Sequence, residues 1–341
     1  MHGSAPAGII ITDKGYKMKK ITVIFLCLTL VLGTVSILTG CGGLQNPTTA
    51  DNNGITIVCT NFAGFDFVRS MLSRYSAGGG DGVVELVILG KPGQDMHSYE
   101  PTAQDIITLA NADVVVCTGA EGWLYATLKS SGNTVVQVVS MMDACDTYIT
   151  TDHDHDHDHD HDHGDCAIIG NDEHVWLSVE YARRIVSAIA NTLAEVDPDH
   201  ASVWDESARQ YREELRVLQE EYENMMETAV RHTVVVADRH PFVYLFHELD
   251  LECLAAFPGC SSETSASFET QAKLIRYTEE WELPYIFMME GSDGKVAEVV
   301  ASMTGAGILT LNSLQVVTDY ENTDYITVMR ENLENLKKAL Q

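Results

Sequence analysis

Six histidines alternate with aspartates in one stretch of this chain. The block 151–165 reads TDHDHDHDHDHDHGD and holds His153, His155, His157, His159, His161 and His163, six of the 13 histidines. Neutral imidazole is a ligand for zinc, copper or nickel. The interleaved carboxylates raise the local cation concentration and keep protonated imidazoles from repelling one another. A run this polar cannot bury a core, so the spacing predicts a mobile loop that collects several transition-metal ions at low affinity.

Single histidines are more often packing or capping residues, but three stretches elsewhere are informative. They are GQDMHSYEPTAQD around His97, NDEHVWLSVEYA around His174, and VVVADRHPFVYLFHELDLE, which holds His240 and His247. Each follows a strand-like run or opens a helical one, where a loop at a strand end projects a ring into a cleft. His247 has no motif around it and reads as structural or exposed. A metallohydrolase would need three ligands and an open position for activated water. The chain has neither an H-E-x-x-H helix nor a nucleophile elbow, and no enzyme is expected.

The elements that must position these residues form two series. Strand-like runs at 55–60, 83–89, 113–118 and 134–139 alternate with helical runs at 62–75, 102–110 and 123–129. That order predicts a mostly parallel sheet with helices on both faces. Residues 175–193 read as a helix and 198–230 as a longer one, a rod of about 50 Å able to link two lobes. A second alternation follows, with strands at 233–237, 251–257, 285–289 and 308–311 and helices at 242–248, 268–283, 295–304 and 325–340. The fold class is therefore α/β with two lobes joined by a long rigid helix, and a ligand site belongs in the cleft where strand ends converge.

At the start, Lys14, Lys17, Lys19 and Lys20 precede an apolar run at 21–38 that ends in Leu38-Thr39-Gly40-Cys41. This is a charged segment, an apolar segment and a small-residue cleavage site. Residues 1–40 are expected to be a signal peptide with an upstream extension, 41–53 a polar tether, 54–197 the first lobe with the 151–165 loop, 198–230 the linking helix and 231–341 the second lobe. Two local disulfides, Cys145 with Cys166 and Cys253 with Cys260, are one reading of the later cysteines. Buried free thiols are the other, and Cys59 and Cys117, each inside a strand-like run, fit it better. Of 341 residues, 50 are acidic and 21 basic, a formal net charge of −29. Nucleic-acid affinity needs clustered cations, so cations are the expected partners instead.

These motifs together resemble the solute-binding lipoproteins of zinc and manganese ABC transporters, also called cluster A-I or metal-binding adhesin-like lipoproteins. The resemblance spans about residues 54–340. It rests on H-S-Y-E-P-T from His97, H-V-W-L from His174, the acidic His-rich insert before it, and the tail YITVMRENLENLKKAL. It implies lipidation at Cys41, a monomer anchored outside the cytoplasm, a membrane permease as partner, and Zn2+ held between the lobes, with Mn2+ or iron, or surface adhesion, as the alternative. His97 and His174 carry over as metal ligands. The family has His-Asp-Ala-Phe, or Glu for that His, where this chain has Asp238-Arg239-His240-Pro241-Phe242. Alignment on Phe242 and Tyr244 puts Arg239 there, and an obligate cation cannot coordinate zinc. His240 is the expected third ligand, with Asp238 as the carboxylate alternative. The fourth position, often Asp, is here Asn312, and Glu263 or Glu290 could supply an acid. Loss of a carboxylate favours zinc over manganese. Tyr99, Glu100 and Trp176 are expected to pack or orient the ligand loops, and Glu100 or Asp172 to hydrogen-bond a ligand imidazole.

Overall fold

The computed structural model describes residues 54–145, 172–259 and 266–341. Strands β1 (Gly54–Cys59), β2 (Val83–Ile88), β3 (Val114–Cys117) and β4 (Gln137–Ser140) form a parallel sheet in the order β2-β1-β3-β4. Every residue of β3 is buried, as expected of a central strand covered on both faces. The period of two then sends alternate side chains to different cores. Ile57, Val114 and Val116 face inward with α1 (Phe62–Ala77) and α4 (Val179–Val196), whereas Val58, Val115 and Cys117 face α2 (Ala103–Ala110) and α3 (Leu124–Ser131).

The second sheet repeats the plan. Strands β5 (Thr233–His240), β6 (Glu252–Pro258), β7 (Tyr285–Met289) and β8 (Gly307–Leu311) are parallel in the order β6-β5-β7-β8. Val234 and Val236 face inward, and Val235 and Ala237 pack under α7 (Phe268–Glu280) and α8 (Lys295–Thr304). The short α6 (Val243–Glu248) follows β5, and α9 (Tyr325–Leu340) closes the chain.

Packed against α1, α4 and α9 runs α5 (Ala201–Glu227), 27 residues or about 40 Å long. Trp204, Tyr211, Leu215, Leu218 and Tyr222 recur every three to seven residues and make its buried stripe. Trp204 stacks on Tyr75 of α1 at 4.2 Å, and the Tyr222 hydroxyl donates to the Met329 carbonyl of α9 at 2.6 Å. One helix thus grips elements of both lobes, and the inward faces of both sheets share one continuous core with it.

Two helices are shorter than their sequence patterns. The run expected at 198–230 opens as a 3-10 turn, Pro198–His200, before α5 begins. The run expected at 175–193 is a 3-10 turn, Val175–Leu177, then α4. Ser178 is extended between them, and its side chain accepts from the Tyr181 N–H. A Ser at that place prefers capping to helix interior, and the break leaves the residues before it free to turn.

Cys59 and Cys117 are buried free thiols, and burial pushes both well above the usual thiol range. Cys145 and Cys253 are buried as well. Their expected partners Cys166 and Cys260, with Cys41 and the 151–165 loop, lie outside the described residues. Among the described residues no helix is long and apolar enough to cross a membrane.

Candidate metal centre

His97 sits in the 3-10 turn Met96–Ser98 beyond β2, where the Asp95 side chain caps the turn by accepting from the His97 N–H at 3.0 Å. His174 precedes the turn Val175–Leu177 and is only 1% exposed. The fold brings the two rings edge to face, with centroids 5.5 Å apart. Each ring is oriented by a carboxylate. Asp172 Oδ1 meets both the backbone N–H of His174, at 2.9 Å, and its Nδ1, at 2.8 Å. Glu173 Oε1 lies 2.6 Å from Nδ1 of His97.

A carboxylate facing Nδ1 selects the Nδ1–H tautomer and leaves Nε2 with its lone pair. Both Nε2 lone pairs then face one group. Gln315, four residues past β8, places its Nε2 at 2.9 Å from His97 Nε2 and in hydrogen-bond contact with His174 Nε2. An amide NH2 has two donors for two acceptors. The two imidazole nitrogens therefore converge on one point in the cleft, as a transition metal requires of its first two ligands, and the second lobe supplies the group opposite.

Among the described residues, His97, Glu173 and His174 are the one group of three metal-capable side chains whose ligand atoms lie within 4.8 Å of one another. A cavity of about 160 Å3 opens beside them, with Asp95, Glu121, Glu173, Trp123, Trp176 and Gln315 in its wall. Three carboxylates in that wall favour a cation.

The other expected ligands have different engagements. His240 ends β5 outside this group. The residue is 2% exposed, its ring packs 5.0 Å from Phe246, and its Nδ1 has no hydrogen-bond partner. A buried ring nitrogen left open is costly, which keeps His240 a candidate donor. Asp238 accepts from the N–H of Arg239 at 2.8 Å and of Met289 at 3.2 Å. Arg239 itself has its Nε 4.0 Å from that carboxylate. Asn312 Oδ1 accepts from the Leu314 N–H at 2.8 Å, and Glu290 holds Ser313. Glu263 lies outside the described residues, as do the loop histidines.

Of the expected supporting residues, Asp172 orients His174, and Trp176 packs 5.2 Å from that ring while its Nε1 donates to the Ser313 carbonyl at 2.9 Å. Tyr99 is buried and donates to Asp105 at 2.6 Å, and Glu100 is exposed. Glu173 and Gln315 were not legible in the motifs. Glu173 precedes His174 and reads as one more acid in an acidic segment, and Gln315 is a neutral amide. The only sequence signal for Gln315 is its place at the end of the N-S-L-Q turn after β8.

The sequence profile described as "ZnuA: Zinc-uptake complex component A periplasmic" matches residues 76–339. The chain belongs to this family. It is 28% identical over 311 residues to the high-affinity zinc uptake system protein ZnuA of Bacillus subtilis, covering 89% of this chain and 94% of that protein. It is 26% identical over 295 residues to the zinc-binding protein AdcA of Streptococcus pyogenes, covering 83% of this chain but 55% of that longer protein. Among solved structures, the metal-dependent lipoprotein YcdH of Bacillus subtilis superimposes with a TM-score of 0.68 at 25% identity, covering 84% of this chain and 99% of that one. The family's two-lobe fold is thus the fold described above.

Proposed function

We propose that this chain is the extracytoplasmic component of a zinc-uptake ABC transporter, which captures Zn2+ in the inter-lobe cleft and hands it to a membrane permease. The observation that carries this is the convergence of the His97 and His174 Nε2 lone pairs on one point, each imidazole backed by a carboxylate. Imidazole donors favour zinc over manganese, which prefers carboxylate oxygens. The family membership and the zinc-binding names of the relatives point the same way.

His240 is the third ligand in this reading, reached by rotation of its ring, and Gln315 stays at the metal with its amide oxygen turned toward it. The 151–165 loop gathers cations for the cleft. Cys41 carries the lipid that keeps a monomeric chain at the membrane near its permease. The cargo only exchanges its ligands, so the task is reversible coordination.

Radioactive zinc uptake tests the transport role in cells that depend on this chain during zinc limitation. Replacing the chain with its His97→Ala, His174→Ala variant is expected to abolish zinc-specific uptake while leaving manganese uptake unchanged. Undiminished zinc uptake with the variant would overturn the reading.

A further inference from the structure

Glu290 immediately follows β7 and is a carboxylate that the coordination scheme leaves unused. Its Oε2 accepts from the Ser313 N–H at 3.0 Å and its Oε1 from the Ser313 hydroxyl at 2.6 Å. Burial pushes this carboxyl above the usual range, opposed by the two Ser313 hydrogen bonds and by the positive charge of Arg239. Ser313 is itself fully buried, and its carbonyl accepts from Trp176 Nε1 of the first lobe.

The turn around Ser313 is held on its other sides too. Asn332 of α9 accepts from the Asn312 N–H and donates to the Asn312 carbonyl, both at 2.8 Å. Asn312 Oδ1 closes the turn onto the Leu314 N–H. Leu314 is buried with a φ of 61°, the left-handed region that a branched side chain adopts only when its surroundings impose it. The next residue is Gln315, whose amide meets both imidazoles. A relaxed Leu314 would send the Gln315 side chain elsewhere.

We propose that Glu290 is a positioning residue for the metal cleft: through Ser313 it holds the 312–315 turn in its strained form, which presents Gln315 to His97 and His174 and sets how firmly the cleft holds its metal. This rests on the zinc reading above and assigns to one partly buried side chain the control of a group it does not touch. Trp176 makes the same turn answerable to the first lobe, so Ser313 is where the two lobes meet the site.

The test is competitive zinc titration, with the visible absorption of bound Co2+ as a second readout, on the chain from residue 42 onward. Glu290→Ala is expected to weaken zinc about tenfold and to change the Co2+ spectrum, the usual scale for a group that orients a metal site. Glu290→Gln, which still accepts from the Ser313 N–H, is expected to keep parental affinity and spectrum. In a Gln315→Ala background, Glu290→Ala is expected to have no further effect, because its influence passes through Gln315. Ser313→Ala, which loses only the hydroxyl bond, should lie between the two and carries the test if Glu290→Ala fails to fold. Equal losses from Glu290→Ala in both backgrounds would overturn the proposal, as would a Glu290→Gln variant as weak as Glu290→Ala. A parental chain that takes up no zinc in the cleft would overturn the functional reading and this inference with it, an outcome distinct from those.

Discussion

Asp172 Oδ1 meets His174 twice, at the backbone N–H and at Nδ1, and so fixes both where that ring stands and which nitrogen it offers. Asp172→Ala is expected to lower zinc affinity roughly 10- to 100-fold in a competition titration. An unchanged affinity would mean that His174 needs no such support. Gln315 allows a test of opposite sign. A carboxylate in its place brings a negative charge to the point where both Nε2 atoms converge, and charge-assisted contacts exceed neutral ones. Gln315→Glu is expected to bind zinc about tenfold more tightly, about 1.4 kcal/mol. Equal or weaker binding would place Gln315 away from the bound metal.

At the scale of elements, α5 depends on the turn in front of it. His200 ends that turn with Nδ1 2.8 Å from Asp197 and Nε2 2.9 Å from Asp81, while Asp197 Oδ2 also accepts from Trp204 Nε1 at 2.9 Å and the Tyr75 hydroxyl at 3.2 Å. The hydrogen bonds to Asp197, and then to Asp81, raise the His200 pKa above the usual value. A raised histidine stabilises the fold fully below the ordinary value of about 6.5 and loses that contribution as pH climbs through the raised value. His200→Ala should therefore lower the urea midpoint more at about pH 6 than at about pH 9, and equal losses would contradict a charged clasp. Tyr222→Phe, which removes the hydroxyl bonded to the Met329 carbonyl, should cost about 1 kcal/mol in the same measurement. The alternation of strands and helices was legible throughout because both sheets are parallel and covered, which writes continuous apolar runs such as VVVC into the chain. The break at Ser178 was less so, since a cap inside an apolar pattern shows only in its hydrogen bond to Tyr181. His97 and His174 stood out through their flanking motifs. Gln315 did not, because a strained turn at Leu314 brings it to the site and no spacing rule encodes that turn.

The whole molecule carries a formal charge of −29, offers two oriented imidazoles beside an acid-lined cavity, and shares one core between its lobes. Wide opening of the cleft would expose that core, so metal capture should change small-angle scattering little, and a large change in radius would contradict the shared core. Coordination needs unprotonated imidazole nitrogens, so zinc affinity should fall as pH drops from about 7 to about 5.5. The most direct test of the central claim is calorimetric and metal-analytical titration of the chain from Asn46, with and without residues 152–162. One tight Zn2+ per chain that survives the deletion and disappears in the His97→Ala, His174→Ala variant is the expected result. Zinc binding that vanishes with the deleted segment would contradict the cleft assignment.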